Sequence, residues 1–243
     1  MLQLRQVHAP ENREHKVNHS AHLRREGLNR FTISLIFVSR RKSTLSSELE
    51  FEIPTWEQIY ESLLNLADRV RKANFKPDVI VGVSRGGWPP ARIISDFLEN
   101  SELANVKAEF YLGVAKTKGE PVITQPVSTS VTGKKVLVVD EVADTGKSLR
   151  LVKSHLKERG ATEVKILTIY YKPWSVVVPD WYGKETSRWI VFPWERKETV
   201  RQVLKQYKSR GKSIEEALEK LVQSGLNRKL VERFIREISE GQT

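Results

Sequence analysis

The sequence predicts an α/β fold: a parallel sheet with helices on both faces, followed by a small C-terminal helical appendage. Three observations carry that expectation. Apolar, β-branched runs recur at Val79–Val83, Lys135–Val139 and Val164–Tyr170, as strands covered on both faces should. Segments with helical spacing separate them, the alternation that builds parallel sheets. After Pro193 the pattern becomes helical throughout, over Arg196–Ser209, Ile214–Gln223 and Lys229–Ile238, with breaks at Gly211 and Gly225.

Taken in order, residues 1–46 differ from the rest. They hold four of the five histidines, many Arg and Asn, and the one methionine, Met1. Phe31–Val38 is their one short apolar run, without an evident pairing partner. The segment is expected to be a disordered basic extension, or a stretch upstream of a natural start near Val38 or Leu45. Residues 47–195 are expected to form the main domain and 196–243 the appendage. Thr55-Trp-Glu-Gln58 has the form of a capping box, and Ile59, Leu63, Leu66 and Val70 then recur at helical spacing. Lys76-Pro77-Asp78 closes that helix before the first buried strand. Ser84-Arg85-Gly86-Gly87 is a turn. Trp88-Pro89-Pro90 opens a second helix, where a missing N–H costs nothing. Ala108–Leu112 is expected to be a strand, and Gly113–Gly133 a polar hairpin or mobile flap. Gly146–Arg159 is a helix stopped by Gly160. Trp189-Ile190-Val191 is expected to add a short strand.

Composition narrows the class. The chain has 243 residues, of which 39 % are hydrophobic, enough for a packed core. No apolar run reaches the roughly 20 residues of a membrane helix, and the first twenty residues lack the apolar centre of a signal peptide. Without cysteine there is no disulfide and no thiolate chemistry. The expected location is the cytoplasm. The net charge of +11 suits either nucleic acid or a polyanionic small molecule. In the helical tail acids and bases alternate rather than segregate, so nucleic acid is the less favoured partner. His15, His19 and His22 share helical spacing, but no carboxylate accompanies them, and they are read as a solvated cluster. His155, in mid-helix, is read as structural.

The chemistry concentrates in Asp140–Ser148. A buried strand delivers Asp140 and Glu141 to the sheet's carboxyl edge, where open α/β sheets bind ligands. Asp144 follows after Val142 and Ala143, and Thr145-Gly146-Lys147-Ser148 turns into a helix. The N–H groups and dipole of that helix favour an anion. Vicinal sugar hydroxyls would donate to the carboxylates. Gly146-Lys147-Ser148 mimics the end of a Walker loop, but the leading glycine would fall on Glu141, which excludes it.

This run of apolar strand, two acids, two residues and Asp-Thr-Gly resembles the 5-phosphoribosyl-1-pyrophosphate (PRPP) signature of type I phosphoribosyltransferases. Together with Ser84–Gly87, Tyr171-Lys172-Pro173 and Trp189-Ile190…Pro193-Trp194, it is similar to bacterial xanthine–guanine phosphoribosyltransferases and their archaeal purine relatives. The resemblance covers roughly residues 55–195. It implies transfer of phosphoribose from PRPP to a 6-oxopurine, with Mg²⁺ held mainly through PRPP and with Asp140 as a further contact. By the same resemblance Asp140 and Glu141 take the ribose hydroxyls and Asp144 faces the base. Ala143, Asp144, Thr145, Gly146, Lys147 and Ser148 bind the 5′-phosphate. Ser84, Arg85, Gly86 and Gly87 hold pyrophosphate, with a cis peptide at Ser84–Arg85. Lys172, Trp189 and Ile190 bind the base, Lys116 and Lys118 sit on a flap, and the protein is a homodimer or tetramer. A PRPP-binding regulator that contacts nucleic acid through its tail, or an orotate or adenine transferase, remains open.

Overall fold

The computed structural model describes residues 49–111 and 119–241. The expectations for residues 1–46, Phe31–Val38, the His15–His22 cluster, Lys116 and Lys118 lie outside the described residues.

A two-residue strand β1 (Phe51–Glu52) precedes helix α1 (Trp56–Lys72). The capping box forms: Gln58 N donates to Thr55 Oγ1 at 3.2 Å, and Thr55 N donates to Gln58 Oε1 at 2.9 Å. Strand β2 (Val79–Ser84), helix α2 (Trp88–Phe97), strand β3 (Leu103–Tyr111) and strand β4 (Glu120–Gln125) follow. Next come β5 (Lys135–Ala143), α3 (Lys147–Glu158), β6 (Glu163–Tyr171), β7 (Trp181–Glu185) and β8 (Trp189–Ile190), and then helices α4 (Arg196–Ser209), α5 (Ile214–Gln223) and α6 (Arg228–Ser239).

The main sheet has six strands in the order β4-β3-β2-β5-β6-β7. Its neighbours pair in parallel, except β4, which returns antiparallel along β3. Strands β3 and β4 thus form an antiparallel pair from Lys107↔Gln125 to Tyr111↔Glu120. Strands β1 and β8 pair in parallel with each other, apart from the main sheet.

Alternation along the central strands explains the two layers of helix. Ile80, Leu137 and Val139 face α1 and α2, beside Ile59, Leu63, Leu66 and Ile94. Val79, Val81, Val136 and Val138 face α3, beside Leu149, Val152 and Leu156. Each such side chain, fully buried, contributes about 1.5–3 kcal/mol of transfer free energy. A third core gathers Val200, Val203, Leu218, Leu221 and Val231 of α4–α6 around Phe51 and Val191. On its surface, Lys197 and Arg233 both reach Glu237, at 2.7 and 2.8 Å. Acids and bases there pair with one another rather than forming a one-signed face.

Several boundaries differ from expectation, those of β3 and β5 most. Strand β3 begins at Leu103, not Ala108, because its first half pairs with β2 from Leu103↔Ile80 onward. Strand β5 does not stop at Val139. It runs through Asp140 to Ala143, because β6 is long enough to pair it as far as Tyr171. The acids therefore lie on the end of a strand rather than in a loop. Strand β7 was not anticipated. Helix α3 begins at Lys147, with Gly146 as its cap residue at φ +73°. The mid-helix His155 accepts the Val127 N–H at 3.3 Å, a structural role matched by a pKa that burial lowers.

Candidate active site

The carboxyl ends of β2 and β5 meet at a cleft of about 510 Å³. Ser84, Arg85 and Gly86 line one wall, Asp140, Glu141 and Ser148 another, and Trp194, Glu195 and Glu198 a third. The peptide between Ser84 and Arg85 is cis. Ser84 Oγ accepts from Asn105 Nδ2 at 3.4 Å, which ties the loop to β3.

The glycines are explained by close approach. A Cβ on Gly86 would fall 1.9 Å from Glu141 Oε1, and one on Gly87 would fall 2.6 Å from the carbonyl oxygens of Val83 and Val139. The Ser84–Gly87 turn thus touches the end of β5 along its backbone, and Glu141 lies directly over Gly86.

Electrostatically the cleft is acidic. Glu141 N donates to Asp140 Oδ1 at 2.9 Å, while Glu141 Oε2 is buried without a partner. Burial raises both carboxyls above their ordinary range; the charge of Asp140 raises Glu141 further, while hydrogen bonds from Glu141 favour the ionised Asp140. Burial, then repulsion from Glu141, pushes Glu195 up to about 7.

A second cluster adjoins the end of β5. Trp174 Nε1 donates to Asp144 Oδ1 at 3.1 Å, and Lys172 Nζ sits 5.4 Å from the centroid of the same indole. Lys172 is buried and also donates to the Arg188 carbonyl. Burial lowers its pKa, against the pull of Asp144 and Glu52. Between the clusters, α3 starts without a side-chain cap and without an acid in its first turn. Its first N–H, that of Lys147, donates to Thr145 Oγ1 at 3.4 Å, and the N–H groups of the turn as a whole lie where a helix start favours an anion. Lys147 turns away to Glu120 at 2.5 Å.

The structure therefore brings Ser84, Arg85, Gly86, Asp140, Glu141 and Ser148 around one cleft, and Asp144 beside Lys172. Gly87 caps α2 behind the cleft, and Ala143, Thr145 and Gly146 connect the two clusters along the chain. Trp189 and Ile190 form β8, with Trp189 packed on Phe51 at 5.9 Å and Ile190 buried in the core. Trp174, Glu195 and Glu198 escaped the sequence reading. Trp174 and Glu195 each directly follow a motif singled out there, Lys172-Pro173 and Pro193-Trp194. Nothing in the local sequence marks Glu198.

A mostly parallel sheet with carboxylates at its carboxyl edge and an uncapped helix beside them is the arrangement at which open α/β folds bind ligands. The chain belongs to the phosphoribosyl transferase domain family, whose model matches residues 52–198. It is an enzyme of the phosphoribosyltransferase class. A hypoxanthine-guanine phosphoribosyltransferase of Lactococcus lactis is 31 % identical over 147 residues, covering 58 % of this chain and 80 % of that protein. A xanthine-guanine phosphoribosyltransferase of Gluconobacter oxydans is 27 % identical over 143 residues, 58 % of this chain and 82 % of that protein. The solved purine phosphoribosyltransferase from Pyrococcus horikoshii is 41 % identical, with a TM-score of 0.55. The match spans 60 % of this chain and 94 % of that one.

Proposed function

We propose that this chain transfers the 5-phosphoribosyl group of PRPP to a 6-oxopurine, guanine, hypoxanthine or xanthine, releasing the nucleoside monophosphate and pyrophosphate. The observation that carries the reading is the close packing of Ser84–Gly87 on the Asp140–Glu141 strand end, with Asp144 and Lys172 adjoining. Names of the relatives, all purine transferases, support the choice of base.

Each group then has a task. Arg85, Gly86 and Gly87 hold the pyrophosphate, where bare backbone allows close approach. The N–H groups and hydroxyls of Thr145–Ser148 hold the 5′-phosphate. Asp140 and Glu141 accept from the ribose hydroxyls and offset positive charge that develops at C1′. Asp144 faces the purine as proton acceptor or electrostatic partner. Lys172 donates to the 6-oxo group, and the Trp189–Ile190 strand offers an aromatic face and backbone groups. The unpartnered Glu141 Oε2 and the raised carboxyls fit a nearby cation. Among the described residues, however, no three carboxylates or imidazoles converge as a ligand set. Mg²⁺ would thus be held chiefly by the oxygens of PRPP, with Asp140 as the protein's contact. When bound, it supplies charge neutralisation for the departing pyrophosphate. The exposed row Trp56, Tyr60 and Leu64 on α1 suits the self-association proposed for the chain.

The decisive experiment is a panel of free bases with PRPP and Mg²⁺, read as pyrophosphate release. Release is expected with one or more 6-oxopurines and not with orotate or adenine. Release with no base would refute the reading.

A further inference from the structure

Arg85 does not point freely into the cleft. Its Nη2 donates to both carboxylate oxygens of Glu198, at 3.0 Å to Oε1 and 2.8 Å to Oε2. Glu198 stands in the first turn of α4, 113 residues further along the chain. Gln202 Nε2, one turn on, donates to the same Oε1 at 3.5 Å. The pair is not part of a core, since the Arg85 side chain is 76 % exposed and that of Glu198 39 %. Exposed ion pairs of this kind add little to stability.

Its position suggests a different use. Among the described residues that line the cleft, four carry carboxylates, Asp140, Glu141, Glu195 and Glu198, and Arg85 is the one cation. A diphosphate entering there must take its charge-assisted hydrogen bonds from a guanidinium already engaged by a carboxylate. The two anions compete for one donor group, and they also repel each other.

We propose that Glu198 is a positioning residue. It parks Arg85 while the cleft is empty, yields it to the diphosphate of an arriving ligand, and reclaims it when that diphosphate leaves. This rests on the reading of Arg85 as a pyrophosphate ligand. Competition weakens substrate and product alike through their shared diphosphate, which raises KM for PRPP and hastens release of pyrophosphate. It also links occupancy of the cleft to the first turn of α4.

The test is titration calorimetry with inorganic pyrophosphate, and separately with PRPP, both with Mg²⁺. The proteins are wild type, Glu198→Gln, Arg85→Gln and the double variant. Glu198→Gln keeps the shape and removes the charge. It is expected to bind pyrophosphate about 3- to 5-fold tighter, the scale of an exposed ion pair. In steady state its KM for PRPP should fall and pyrophosphate inhibition strengthen by a similar factor, with KM for the base unmoved. In the Arg85→Gln background the same substitution should give a clearly smaller gain, because only the direct repulsion between the two anions is then relieved. Equal affinity of wild type and Glu198→Gln would overturn the proposal. So would an equal gain with and without Arg85, because that is the mark of a general charge effect. A wild-type chain that binds neither pyrophosphate nor PRPP would overturn the reading of the cleft itself, and the parking role with it.

Discussion

Asp144 takes a single neutral donor, the indole N–H of Trp174 at 3.1 Å, and its remaining lone pairs stay available to a substrate. Asp144→Asn retains the shape and the possible contact with Trp174 but removes the charge and the proton acceptor. The expected result is a fall in kcat of about 100-fold, within the range for a lost acid–base group, with the dissociation constant for PRPP little changed. Single-turnover kinetics and PRPP titration separate the two effects. Unchanged turnover would remove Asp144 from the chemistry. Its neighbour Lys172 was marked in the sequence by Lys-Pro, whereas Trp174, two residues on, was not. An aromatic after Lys-Pro reads as ordinary surface until the fold shows its N–H aimed at a carboxylate.

Helix α3 starts on a glycine for a reason visible in its surroundings. Gly146 has φ +73°, and a Cβ there would lie 2.4 Å from Ser175 Oγ and 2.7 Å from Val177 N. Gly146→Ala should destabilise the protein by about 1–2 kcal/mol through the left-handed backbone alone. It should also weaken PRPP binding, because the displaced turn carries the helix's first N–H groups. Thermal unfolding and PRPP titration test the two parts, and no change in either would show that the Ser175–Val177 loop gives way freely. At this scale the sequence was most informative where burial is two-sided. Val79–Val83 and Val136–Val139 must be apolar on both faces, so they read as strands from composition alone. Thr55–Gln58 announced a helix through its capping chemistry. Strand β7 did not announce itself, because Trp181 is its one buried residue. Glu198 was illegible for another reason. Its importance lies in α4 folding back over a loop 113 residues earlier, which no local pattern encodes.

The molecule as a whole carries its carboxylates at a cost that depends on pH. Glu195, from the segment after β8, meets Glu141 from β5, and burial followed by this repulsion lifts its pKa from 4.5 to about 7. The folded state therefore holds a proton that the unfolded chain has lost between those values. The contribution of Glu195 to stability therefore falls as pH rises from about 4.5 to about 7 and levels off above. Asp140 and Glu141 act in the same direction. Calorimetric melts of the ligand-free protein should show this decline, and Glu195→Gln should flatten it. An unaltered slope in the variant would show that Glu195 does not titrate as its surroundings dictate. One further consequence concerns the order in which the chain is made. Phe51 completes the core of α4–α6 and pairs through β1 with Trp189 and Ile190. During synthesis it must wait about 140 residues, on the order of ten seconds at ordinary ribosome speeds, for those partners to emerge. The six-stranded sheet can consolidate meanwhile without it. The C-terminal core is then the last part of the protein to close, and Phe51 is among the apolar groups a nascent chain leaves longest in water.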